Sequence, residues 1–553
     1  MGQFGIGQGI KRFEDVRLVR GEGRFHDDVN LPGQAHAVIV RSIHAHARLT
    51  RIDTKAASKL PGVLAIFRGA DLGDALGTMT MTLKRKRPDG SPMFAPPHQT
   101  LARERVRYVG DPIAMVVAET LAQAEDAAAR VEVDYAPLPA VTSTAAAASG
   151  GPAVWDACPD NISNLHEAGD KAATDAAFAR AAWVVRRRYV ITRVHAQYLE
   201  PRGALGAWDP GEGRYTLYAD VQYPHRVRNA LATNIFKVPE HTIRVIVGDV
   251  GGAFGTKGWQ YPEHRLVLWA ARKLGRPVKW SCERREAIPA DEHARDNVTD
   301  AELALDADGR FLALRVRTLA NVGAYVSSDR NLLATFSNIA TLVGVYAFPA
   351  AHVQVTSVLT NTNSTAPYRG AGRPEATYVI ERLIDDAARE LGADAVDLRR
   401  KNLVPAAAMP YKTATGVTYD CGDFPTQMEA ALKLADVADD HADLMLRHSQ
   451  DTGGERGAYA VRVLHVGVQG VALLAGVPRP EGAARFHILR VDAGDDVASA
   501  HHARGAGEGG VRRRLVADGV HVADVVGALV PDGGAAHGVD RRRDRGQRLV
   551  IDP

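Results

Sequence analysis

Cysteine is scarce in this chain. Only Cys158, Cys282 and Cys421 occur in 553 residues, with no C-x-x-C and no metal-ligand spacing. That excludes a disulfide scaffold and an iron–sulfur cluster held by the chain's own thiolates, and it fits a reducing cytoplasm. No apolar run is long enough to span a bilayer, and the N-terminus, MGQFGIGQGIKRFEDV, has no apolar signal core, so a cytoplasmic location is expected. An excess of charge of one sign is also missing. The 68 basic residues face 65 acidic ones, a net charge of +3, which leaves no electrostatic footprint for nucleic acid. Heptads and internal repeats are absent. What remains is a globular chain long enough for several domains with ample core.

Three stretches carry chemistry. The first is VIVGDVGGAFGTK, Val245 to Lys257, an apolar strand signal running into a glycine cluster around one aromatic. Gly251, Gly252 and Gly255 can take backbone angles closed to other residues. They also leave the main chain bare, so that N–H groups facing one way can cradle an anion or oxo ligand. The alternatives are a plain strand-to-loop turn, a dinucleotide loop and a P-loop. The spacing from Gly248, G-x-x-G-G-x-x-G, is not G-x-G-x-x-G, and GWQYP does not open a helix cleanly. Lys257 sits between Thr256 and Gly258, which is not a Gly-Lys-Ser/Thr ending.

The second stretch is PYRGAGRPEA, Pro367 to Ala376, where Arg369 and Arg373 lie among Gly370 and Gly372. An arginine on a glycine-flexible loop suits bidentate contact with an oxyanion, although solvated loop arginines are common. The third is Gln222, at the end of an alternating strand (Tyr215 to Val221) and just before a helix from about Pro224. Its amide can both donate to and accept from a ligand, although a lone glutamine is more often a surface residue.

In this order the three features resemble the molybdenum-binding large subunit of the xanthine dehydrogenase, aldehyde oxidase and carbon monoxide dehydrogenase group. The resemblance extends through RFEDVRLVRGEGRFHDDVNLPGQAHAVIVRS, VRYVGDPIAMVVAET, HAQYLEPRGALGAWD and PYRGAGRPEATYVIERLIDDAARELGADAVDLRRKNLV, about four-fifths of the chain. It implies that Gln222 contacts an oxygen ligand of molybdenum. It also implies that the backbone of Gly251, Gly252, Ala253, Phe254 and Gly255 approaches another metal ligand, and that Tyr368, Arg369 and Gly370 face the metal pocket. The metal is then held by the dithiolene of molybdopterin, in the cytosine dinucleotide form, with no direct side-chain ligand. The [2Fe-2S] clusters and FAD belong to partner chains, an iron–sulfur small subunit and an FAD-binding medium subunit. The implied reaction is hydroxylation of an aldehyde or N-heterocyclic C–H with oxygen from water; a non-catalytic truncated fragment that binds partners only is the alternative. Two departures narrow the class. Gly370 replaces the cysteine of copper-containing carbon monoxide dehydrogenases, and Gly258 replaces the glutamate of purine hydroxylases, which argues against both chemistries.

The expected fold class is α+β. Residues 20–141 read as a small hammerhead-like α/β domain, with strand signals at HAVIVRS, VLAIFRG and DPIAMVVAE and a helix at Leu121 to Arg130. Residues 142–160 read as a small-residue linker, and residues 161–403 as a first molybdopterin-binding α+β domain. That domain has a hairpin at Asp306-Ala-Asp-Gly309 and a last helix from about Ala376 to Leu391 stopped by Gly392. Residues 404–436 would begin a second molybdopterin-binding domain.

The tail, residues 437–553, lacks a different set of residues. After Lys433 there is no Lys and no Asn, against 13 and 12 up to that point. A proportional share would be about seven, so the composition changes there. Ala, Arg, Gly, Val, Asp and His fill the tail, all residues with G- and C-rich codons. The expectation is a GC-rich gene read out of frame from somewhere near Val437 to Gly454, with the end of the second domain and its catalytic glutamate missing; the alternative is a natural disordered or basic tail, for which the Val and Leu content is high. Gly505-Ala-Gly-Glu508 matches the glutamate string only superficially, so the catalytic residue stays unknown.

Overall fold

A computed structural model describes residues 9, 11–79 and 81–435, with the short segments 471–474, 486–490 and 523–525. The chain divides into two units, Val16–Gln427 and a second formed by Met1–Asp15 with Met428–Pro553. In the second unit the strands Val471–Leu474, Phe486–Arg490 and Ala523–Val525 form a three-stranded antiparallel sheet. The rest of the atypical tail, Glu508 included, lies outside the described residues.

The larger unit is α+β, as expected. Its main sheet has seven strands, in the order Ile243–Ile246, Arg214–Ala219, Gly203–Asp209, Val278–Ser281, Ala35–Arg41, Pro112–Ala118 and Val63–Arg68. The strand PIAMVVA is buried throughout, because it lies inside the sheet with both faces covered. Met115 and Val117 join the main core, while Val116 packs with Ala57 and Ala127 on the other face. This is the two-sided burial that a continuous apolar run signals. The helix Leu121–Ala128 is opened by a capping box, with Thr120 Oγ1 accepting from the Gln123 N–H. The helix Pro262–Leu274 carries Leu266, Val267 and Ala270 into the main core and ends at Gly275 in the left-handed region.

A second sheet has five strands, in the order Ile162–Gly169, Ala350–Leu359, Phe311–Gly323, Ala294–Leu305 and Trp183–Val194. Its Asp306–Gly309 hairpin is fixed by Asp306 Oδ1, which accepts from the N–H of Asp308 and of Arg310. The helix Arg373–Leu391 is tied to this sheet by Tyr189, whose hydroxyl donates to Asp386 at 2.9 Å, and Gly392 caps it. It begins three residues earlier than the sequence suggests, because Pro374 suits the first turn of a helix, where no N–H is needed.

One reading of the sequence changes. The stretch 142–160 is packed: Thr144–Ala148 is a helix, and Ala147, Val154 and Cys158 lie in a core cluster with Tyr325 and Val358. Alanine runs favour helix and let it approach closely, which a small-residue count alone does not reveal. Residues 20–141 and 161–403 are joined across one sheet. Val278–Ser281 pairs in parallel with Ala35–Arg41, Ala35 lying opposite Val278, so the two segments share one sheet. Pairing so distant in sequence leaves no local pattern.

Candidate cofactor-binding site

The glycine cluster follows the edge strand Ile243–Ile246, and the next helix starts only at Pro262. Its backbone is therefore irregular, with Gly252 at φ +97°, Phe254 at +50° and Gly255 at +108°. Two of these glycines are needed for close approach. A Cβ on Gly255 would lie 2.3 Å from the Pro367 carbonyl oxygen, and one on Gly251 would lie 2.5 Å from Glu200 Cβ. Phe254 has no such excuse for its left-handed backbone, a conformation that costs about 1–2 kcal/mol for a residue with a Cβ. Phe254 is 43 % exposed.

The three stretches converge. The Gly255 N–H donates to Gln222 Oε1 at 3.0 Å. The Gln222 N–H donates to the Lys257 carbonyl at 2.9 Å, and the Arg369 N–H donates to the Phe254 carbonyl at 2.8 Å. Gln222 thus spends its carbonyl on the loop, and its Nε2 has no acceptor among the described residues. The N–H groups of Gly252, Ala253 and Phe254 likewise find no acceptor among the described residues. Gln222, Phe254, Arg369 and Gly370 are exposed, and Tyr368 is half-buried. Among the described residues, the residues brought together form an open face. Neither of two cavities in the unit, of about 680 and about 30 Å³, is lined by any of them.

Beneath this face lies a set of charged residues to which the sequence motifs assigned no role. Lys257 is buried, with its Nζ ion-paired to Asp220 and donating to the Glu200 carbonyl at 2.7 Å and to Glu200 Oε2 at 3.2 Å. It is a structural pin whose ammonium is already spent on these partners. Glu200 in turn accepts from the Gly251 N–H at 2.7 Å and the His26 N–H at 3.0 Å, tying the loop to the N-terminal segment. Burial pushes the Asp220 carboxyl above the usual carboxylate range, against the pull of Lys257. Arg295, at φ +68°, brackets the second loop. It donates to the carbonyls of Tyr368 at 3.3 Å and Arg369 at 3.0 Å while paired with Glu375 at 3.0 Å. Arg330 donates to the Gly255 carbonyl at 2.8 Å. The only trace of these residues in the sequence is that Glu200 lies in the EPRG string, Arg295 in EHAR and Arg330 in SSDR.

Residues 20–139 match the a/b hammerhead domain of aldehyde oxidase and xanthine dehydrogenase, and residues 154–403 match the molybdopterin cofactor-binding domain. The carbon monoxide dehydrogenase large chain of Afipia carboxidovorans is 37% identical over 446 residues, covering 77% of this chain and 53% of that one. The nicotine 6-hydroxylase large subunit of Paenarthrobacter nicotinovorans is 34% identical over 482 residues, covering 86% and 57%. The crystal structure of quinoline 2-oxidoreductase from Pseudomonas putida 86 superposes with a TM-score of 0.75 at 32% identity, covering 87% of this chain and 57% of that one. The chain spans about half the length of the relatives it matches. With both domain matches and these relatives in agreement, the chain belongs to the molybdenum-binding large-subunit family of the xanthine dehydrogenase, aldehyde oxidase and carbon monoxide dehydrogenase group, a family of molybdopterin-dependent oxidoreductases.

Proposed function

We propose that the face formed by Gln222, Gly251 to Gly255 and Tyr368 to Gly370 binds molybdenum-molybdopterin, in the cytosine dinucleotide form, and serves the hydroxylation of an aldehyde or N-heterocyclic C–H. The observation that carries this reading is the set of unused donors gathered in one place: the N–H groups of Gly252, Ala253 and Phe254 and the Nε2 of Gln222. Consecutive bare N–H groups suit an anionic oxygen or sulfur ligand, and a free amide nitrogen suits an oxygen. The donors fit the group.

Each residue then has a task. Gln222 donates through Nε2 while its Oε1 keeps the loop in place. The loop backbone holds negative charge without a side chain in the way. Arg369, with its main chain anchored to Phe254, would supply a cation to the group. Lys257, Glu200 and Arg295 keep both loops at the required spacing. When bound, the cofactor supplies two-electron redox chemistry, the substrate carbon gaining an oxygen from water and releasing two protons and two electrons. The electrons would pass to [2Fe-2S] and FAD groups on partner subunits. The carboxylate that would take a proton is not among the residues of this face.

The open face favours a second reading, a non-catalytic fragment of the subunit that binds partners only. Molybdenum content and turnover of the purified 553-residue chain separate the two. Bound metal with aldehyde oxidation supports the enzyme, and metal-free chain with no turnover supports the fragment.

A further inference from the structure

A small cavity of about 30 Å³ lies beside the site, lined by both polar and apolar groups. Four buried side-chain atoms on it have no hydrogen-bond partner: His98 Nε2, Trp259 Nε1, Glu292 Oε2 and Ser328 Oγ. Ser328 is 3 % exposed. Two of the four have weak company. Glu292 Oε2 lies 3.5 Å from Arg330 Nη2, and His98 Nε2 lies 3.5 Å from Asp111 Oδ1, both at ion-pair rather than hydrogen-bond distance. Leaving a buried polar group unpaired costs about 1–3 kcal/mol, and four on one cavity is more than a stable fold ordinarily carries. The space exceeds the roughly 10–15 Å³ that one water needs, and the lining offers both donors and acceptors.

The chamber is connected to the glycine loop through Arg330. Its Nη2 donates to the Gly255 carbonyl at 2.8 Å and lies on Glu292 at 3.5 Å. Gly258 makes room for it, since a Cβ there would lie 3.2 Å from Arg330 Nη1 and 2.9 Å from the Gly255 carbonyl. We propose that the chamber holds one ordered water shared by Glu292, Ser328 and His98, and that Glu292 is a positioning residue which, through Arg330, fixes the Gly255 carbonyl and with it the Gly251 to Gly255 loop. Burial, which pushes the Glu292 carboxyl above the usual carboxylate range, agrees with a group whose stability depends on a bound partner. The functional meaning rests on the cofactor reading above, but the geometry does not, so the test uses the cofactor-free chain.

Hydrogen exchange is followed in peptides covering the loop, with the strand Gly203–Asp209 as internal reference. Glu292→Leu keeps the volume and removes the polar atoms. Exchange of the Gly255 amide is expected to quicken by about tenfold, the loss of roughly one hydrogen bond's worth of order. Glu292→Gln can still bind the water and should stay within about twofold of the parent. Ser328→Ala, a milder change that keeps the fold, should quicken the loop by about threefold, since it removes one of the water's neutral partners. A high-resolution crystal structure should show a water within hydrogen-bond distance of Glu292 and Ser328. Unchanged loop exchange in Glu292→Leu and Ser328→Ala overturns the proposal. So does equal quickening of loop and reference strand, or a dry chamber in the crystal.

Discussion

Replacing Gly255 with alanine tests the join between the two loops. The added Cβ would lie 2.3 Å from the Pro367 carbonyl oxygen. That is roughly 1 Å inside van der Waals contact, and the obstacle is backbone that cannot rotate aside. Gly255 also sits at φ +108°, which adds about 1–2 kcal/mol of strain for any residue with a Cβ. Relief requires the loops to part. Parting removes the Gly255 N–H to Gln222 bond and the Arg369 N–H to Phe254 bond, worth about 1 kcal/mol each, and the bond from the Arg330 guanidinium to Gly255, worth about 1.5–3 kcal/mol. The variant should therefore lose about 4.5–7 kcal/mol, and less if some bonds re-form. Gly275→Ala is the control. Its φ is +68° and nothing lies within 4 Å of the added Cβ, so it should lose only about 1 kcal/mol. Urea unfolding of both variants, with hydrogen exchange at Gly255 and Arg369, reads the difference. Equal losses in the two variants would refute the claim that Gly255 is selected for close approach.

Other outcomes follow from the same geometry. Lys257→Met leaves Asp220 and Glu200 buried without their cation and should cost about 3–5 kcal/mol in urea unfolding, and adding Asp220→Asn should restore part of it. His26 is buried with both ring nitrogens unpartnered, and burial lowers its pKa from 6.5 to about 4. The unfolded chain therefore takes up the proton first, and stability falls as pH drops from 6.5 towards 4, by about 3 kcal/mol in total. A urea midpoint unchanged between pH 7 and pH 4.5 would contradict this. Gly252→Val places a branched side chain at φ +97° and 3.0 Å from Tyr198 Cβ, so an otherwise cofactor-loaded chain should lose its molybdenum, as metal analysis would show. The gene, read in its other two frames beyond codon 433, should resume the family's pattern. Two frames without any such pattern would dismiss the out-of-frame account of the tail.

What could be read from the sequence was what glycine, proline and alternation announce. The loop at Gly251 to Gly255, the turn at Gly309 and the stop at Gly392 each depend on a residue without a Cβ, and glycine there is visible. The strand PIAMVVA is visible because its burial is continuous. The supports of the site were not legible. Glu200, Arg295 and Arg330 act through contacts with residues distant in sequence, and a lone charged residue in the sequence looks the same whether it braces a carbonyl or faces water. Left-handed backbone at Phe254, Arg295 and Ala371 is imposed by surroundings rather than by the residue, so nothing in the residue type reveals it. The open character of the face was also hidden, since motifs show which residues meet and not what covers them.

The most direct test of the cofactor assignment is a titration of the isotope-labelled chain with molybdenum cofactor, followed by amide resonances. The account predicts that the backbone N–H signals of Gly252, Ala253 and Phe254 and the side-chain NH₂ of Gln222 shift together and saturate at one cofactor per chain, while those of the strand Gly203–Asp209 stay in place. Saturable binding that leaves these four donors unmoved would contradict it.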